Sequence, residues 1–258
     1  MIIGAITLLA MLFGGGVELL FISNMDKGVK EYVVEKERKK EILADLKDSR
    51  KFIKAYNKQR KSQLKTFKSL NSSWEVSKED LQVFFDDLYK ERIAFQDKVF
   101  VDRIMLTKKI EPTEWDSIMG YAGAKFEKLI EKEQKKADKK KNKKAKESFE
   151  KTRSAIIQNV PDVEKQKVLE EGLNDLTSAF EELVNTMKSI NVKESSILTR
   201  QDATKEELKQ MAEESNELRR KSSDQLMKFH MLAKENTNKT EWDKIMKAFN
   251  KELTLTAH

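Results

Sequence analysis

The chain has 258 residues, 37% of them charged and 38% hydrophobic, with 51 Lys and Arg against 44 Asp and Glu. Two prolines and eight glycines exclude a Pro/Gly-rich coil, and zero cysteines exclude a disulfide scaffold, thiol catalysis, thiolate metal sites and a lipidated cysteine anchor. With only His230 and His258, a multi-histidine metal site is excluded too.

Residues Met1 to Ser23 read MIIGAITLLAMLFGGGVELLFIS, with Glu18 the one ionisable side chain. As a helix this run rises about 33 Å, enough to cross a hydrocarbon core of about 30 Å. No Lys or Arg precedes it, so residues 1–25 are expected to stay as an uncleaved single-span anchor rather than leave as a signal peptide. Gly14, Gly15 and Gly16 either form a close-packing face for partner transmembrane helices or break the helix in the membrane lipid. Glu18, near the charged end, is expected to snorkel to the headgroups. Six Lys and Arg lie between Asp26 and Lys40, and the positive-inside rule would put the large domain in the cytoplasm.

The interval Asp26 to Leu70, with Ile42, Leu46, Ile53 and Leu64 on one face, reads as a long helix continuing from the anchor. Ser77, three residues before Asp80, predicts the next helix start, and Leu81, Phe84, Phe85, Leu88, Phe95 and Val99 follow at helical spacing. A third helix is predicted from Thr113, in the sequence T-E-W-D. Gln134 to Lys146 then places eight lysines among thirteen residues beside one acid, Asp138. That run, within residues 134–160, reads as a solvated linker or helix. Lys139, Lys140, Lys141, Lys143 and Lys144 are its candidate phosphate contacts, for anionic lipid before nucleic acid, since no aromatic is interleaved to stack on bases.

The chain also repeats itself. At an offset of 127 residues, Thr113-Glu114-Trp115-Asp116-Ser117-Ile118-Met119 matches Thr240-Glu241-Trp242-Asp243-Lys244-Ile245-Met246 at six of seven positions. The same offset pairs Ser77-Lys78-Glu79-Asp80-Leu81 with Thr204-Lys205-Glu206-Glu207-Leu208, Arg92 with Arg219, Asp97 with Asp224 and Leu46 with Leu173. An internal duplication follows. Pro161 is expected in the first turn of the second long helix, about Asp162 to Ile190. The predicted fold is therefore all-α: a single N-terminal transmembrane helix, then two tandem three-helix antiparallel bundle units over residues 26–133 and 161–258.

Within each unit the repeat motif, Thr113, Trp115 and Asp116 or Thr240, Trp242 and Asp243, is the tempting functional feature. Its indoles are expected to close the bundle ends instead. His230, between Phe229 and Met231, reads as a packed histidine, and the adjacent acids Asp86-Asp87, Glu170-Glu171 and Glu213-Glu214 point about 100° apart on a helix. No catalytic set, cofactor site or metal site is predicted, so the chain is expected not to be an enzyme. Asn71-Ser72-Ser73 and Asn238-Lys239-Thr240 fit the glycosylation pattern.

The stretch Leu106-Thr107-Lys108-Lys109-Ile110-Glu111-Pro112-Thr113-Glu114-Trp115 resembles helix-start motifs of the LTxxQ family of small periplasmic helical chaperones, without the Gln of that motif. The resemblance, with the lack of cysteine, implies a periplasmic setting against the charge rule. The expected function is a non-enzymatic scaffold or accessory subunit of a bacterial inner-membrane complex, partnered by other membrane subunits. The alternatives are a tethered periplasmic chaperone or client-binding module, and a binder of anionic lipid or nucleic acid through the Lys-rich run.

Overall fold

The computed structural model describes residues 18–122 and 149–254, the side chains of residues 18–24, 184–196, 198 and 254 excepted. These residues form eight helices and no strand. They are α1 Glu18–Tyr32, α2 Lys36–Asn71, α3 Lys78–Thr107, α4 over 112–122, α5 Glu150–Asn159, α6 Val163–Thr199, α7 Lys205–Asn236 and α8 Lys239–Thr254. A shift of 127 carries the first residues of α2, α3 and α4 (36, 78 and 112) onto those of α6, α7 and α8 (163, 205 and 239).

The repeat contains four helices rather than three. The expected long helix from Asp26 breaks at Val33–Glu35, where the Glu35 carboxylate caps α2 by accepting from the Glu37 and Arg38 amides. The chain turns back there, so that Asp26 of α1 meets Arg50 of α2 at 2.7 Å. At the same offset Asp162 caps α6 through the Glu164 and Lys165 amides, and α5 stands where α1 stands in the first copy. The second unit thus includes α5, inside the range 134–160 expected to be a linker or helix. Pro161 lies just before the cap residue rather than in the first turn, its fixed φ suiting the extended corner.

Among the described residues no helix is long and apolar enough to cross a membrane, so the expected transmembrane helix finds no support here. Residues 1–17, with Gly14, Gly15 and Gly16, lie outside the described residues, as do Lys139, Lys140, Lys141, Lys143 and Lys144. Glu18 opens α1, which runs on into the folded body and buries Met25 and Val29, with Val33 buried just past its end.

Two cores result, and neither belongs to one copy alone. One joins Leu169, Leu173, Phe180, Trp242 and Phe249 of the second copy to Phe67, Val76, Leu81 and Phe85 at the α2–α3 turn of the first. The other joins Ile42, Leu46, Phe95, Trp115 and Ile118 of the first copy to Leu208, Met211 and Ala212 of the second. Leu81 and Phe85 stand at the offset from Leu208 and Ala212, so each copy inserts the same hairpin tip into the other. Reciprocity of this kind is the mark of a two-fold interface, here formed within one chain.

Candidate functional site

Ser77 and Thr204 begin the two exchanged helices with full capping boxes, their hydroxyls accepting from the Asp80 and Glu207 amides. The two T-E-W-D helices differ from expectation. Their caps lie two residues earlier: Asn238 Oδ1 accepts from the Glu241 amide at 3.0 Å, and Glu114 reaches back to accept from the Glu111 amide at 3.1 Å. Thr113, Asp116, Thr240 and Asp243 are left exposed, Asp243 pairing with Lys239. The motif therefore does not gather its members around one site. Trp115 and Trp242 instead point inward, at 1% and 0% exposure, and each forms the wall of a socket for the other copy's hairpin tip.

In the first socket Trp115 donates from Nε1 to the Thr199 carbonyl at 2.6 Å, and Arg103 donates to the Arg200 carbonyl at 3.0 Å while its guanidinium lies 5.1 Å from the indole. Gln201, from the same tip, donates to the carbonyls of Thr107 and Ile110. Burial pushes Arg103 down to about 10, the cation being held against the Arg200 carbonyl and a ring face rather than by solvent. Asp97 receives Lys205 at 2.9 Å and Lys209 at 3.1 Å, and their hydrogen bonds hold its carboxyl below the usual range.

The second socket repeats the plan with other side chains. His230 stands at the offset from Arg103, and its ring meets Trp242 edge-on at 5.5 Å. Asn71, buried at the incoming tip, donates from Nδ2 to Asn250 Oδ1 at 2.8 Å. That leaves Asn71 Oδ1 to accept from His230 Nδ1 at 2.9 Å and assigns the ring proton to Nδ1. His230 Nε2 and Trp242 Nε1 are both buried without a hydrogen-bond partner among the described residues. Burial, then the nearby Lys234, drives His230 down to about 4. Asp224, the counterpart of Asp97, has its pKa raised by burial.

Where the long helices α3 and α7 cross, Asn216 donates to Gln96 Oε1 at 2.7 Å, and Arg219 donates to Ser215 Oγ at 2.8 Å. Arg92 and Arg219, paired by the repeat, are both buried there. Among the described residues no three His, Cys, Asp or Glu are placed to hold a metal ion. No family, curated protein or solved structure matches this chain.

Asn71 and Asn238, the two glycosylation-pattern asparagines, are thus a tip residue seated in the second socket and a helix cap. Leu106 and Thr107, the start of the LTxxQ-like stretch, close α3 rather than begin a helix. Arg103 as a socket residue escaped the sequence reading, although it and His230 each stand twelve positions before a repeated Trp. Nothing in the sequence signals the tip residues Asn71 and Gln201.

Proposed function

We propose that the chain is a non-enzymatic, membrane-anchored scaffold or accessory subunit of a bacterial inner-membrane assembly. The apolar run Met1 to Ser23 supplies the anchor and the interlocked helical body presents its surfaces to other subunits. The observation that carries this reading is the use of the duplicated tryptophans, His230 and Arg103 in internal sockets, which seals both cores. Among the described residues the large apolar side chains left exposed are Val34, Val83, Met105, Ile157, Val163 and Val168. They are scattered over α3, α5, α6 and one corner, which favours a subunit over a client-binding chaperone.

Native purification from a detergent extract, with mass spectrometry of what accompanies the chain, tests the proposal. A fixed set of membrane proteins is expected, lost in a Gly15→Leu variant because the added volume blocks close helix approach. Recovery of the chain alone in a detergent-free wash, or with a changing mixture of unfolded clients, would contradict it.

A further inference from the structure

The two copies share their fold but not their charge. On α2, Lys47, Lys51, Lys54, Lys58, Lys61, Lys65 and Lys68 follow one another at alternating steps of four and three. At 3.6 residues per turn this spacing confines all seven to an arc of about 100° and draws them out over about 32 Å. From Ser49 to Trp74 the sequence contains no Asp or Glu. Six of the lysines are exposed and Lys68 is half-buried, where desolvation lowers its pKa. Lys51 pairs with Asp48 at 2.9 Å; the other six have no ion pair among the described residues.

The fold does not need this stripe. The matching positions of α6 are Asn174, Ser178, Glu181, Asn185, Lys188, Val192 and Ser195, one lysine in seven, and α6 still forms the same helix. The core-facing side of α2 lies elsewhere on its circumference, through Ile42, Leu46, Tyr56 and Phe67. Seven like charges at helical neighbour spacing repel one another, so the stripe weakens the helix unless an anion offsets it.

We propose that this lysine stripe docks the helical body flat on an anionic phospholipid surface. Three observations favour headgroups over nucleic acid. The stripe contains no arginine, because Arg50 turns to Asp26 and Arg60 is buried against the Leu88 carbonyl and the Tyr56 ring. Lysine alone suits a diffuse anionic surface, whereas phosphate forks and base edges favour arginine. Among the described residues no ring lies free beside it for base stacking: Phe52 and Tyr56 stack on Phe95, and Phe67 lies between Phe84 and Phe85. The third is position. The Asp26–Arg50 pair sets α1 beside the start of the stripe, and Glu18, within the apolar run, lies eight residues or about 12 Å along α1 from Asp26.

This inference rests on the membrane reading above, and its test separates the two. The chain has no cysteine, so Ser62→Cys beside the stripe and Ser178→Cys on α6 each give a single labelling site. The full-length labelled chain is reconstituted with phosphatidylcholine vesicles, with or without phosphatidylglycerol, and the label's access to a water-soluble quencher is measured. The label at 62 is expected to be shielded only with phosphatidylglycerol, that at 178 to stay accessible in both. Shielding should fade in 0.5 M salt, roughly three times physiological ionic strength. Replacing Lys54, Lys58 and Lys61 by Gln should lower docking about a hundredfold, at about fivefold per lysine near an anionic surface. Equal access at 62 in both vesicles would overturn the proposal, as would lysine-dependent binding of a DNA duplex tighter than binding of phosphatidylglycerol vesicles. Failure to stay with neutral vesicles would refute the anchor alone; salt-sensitive sedimentation with phosphatidylglycerol vesicles would then support the stripe and its absence would overturn it.

Discussion

The two sockets occupy equivalent places in the repeat and solve the same packing problem with different chemistry. Around Trp115 the indole N–H and Arg103 both reach carbonyls of the incoming tip, and Asp97 adds two lysines. Around Trp242 the indole N–H and His230 Nε2 have no hydrogen-bond partner among the described residues, and Asn71 links the tip to the histidine. A duplicated core tolerates this divergence because apolar burial holds both ends, while the polar contacts decide how each end responds to acid and to mutation.

Acid should give the largest contrast. His230 titrates near its ordinary 6.5 when unfolded and at about 4 when folded, so the unfolded chain takes up the proton first. Its contribution to stability is fully present above about pH 6.5 and is lost as the pH falls toward 4, by about 3 kcal/mol. Arg103, at about 10, keeps its charge throughout that window and adds nothing to the slope. Urea unfolding between pH 4 and 7 should show the loss, and His230→Gln should flatten it; an unchanged slope would remove the histidine from the account.

A smaller contrast lies in the indole N–H groups. Trp115→Phe leaves the Thr199 carbonyl without its donor, whereas Trp242→Phe removes a donor that had no acceptor. The first should therefore cost about 1–2 kcal/mol more than the second in denaturant unfolding. Equal costs would mean that the two sockets are energetically alike.

Where the copies agree, the effects should agree. Ser77→Ala and Thr204→Ala each remove the same capping box and should each cost about 1 kcal/mol. A large difference in their unfolding midpoints would show that one tip is seated less firmly than the other.

Much of the repeat was legible because capping and apolar spacing are local. Ser77, Thr204 and the six-of-seven match at Trp115 and Trp242 carry it in short stretches of sequence. The corner at Val33–Glu35 was not, because a glutamate cap and a valine pair have no strong turn signature, whereas the second copy marks the same corner with Pro161 and Asp162. Nor could the exchange of tips be read. Leu81 and Leu208 look like core residues in any arrangement, and whose core they enter depends on contacts more than a hundred residues apart. The Thr113 and Thr240 starts were misplaced because Glu111 and Asn238, two residues earlier, take the cap position.

The central claim is that each copy's hairpin tip sits in the other copy, and zero-length carbodiimide cross-linking of the monomeric protein tests it most directly. Lys205, at the tip of the α6–α7 hairpin, lies 2.9 Å from Asp97 of α3, and Lys209 lies 3.1 Å from it. Peptide mapping should find both lysines amide-linked to Asp97 within one chain. Links from Lys228 to Asp175 and from Lys221 to Glu182, both inside the second copy, without any link to Asp97, would contradict the exchange.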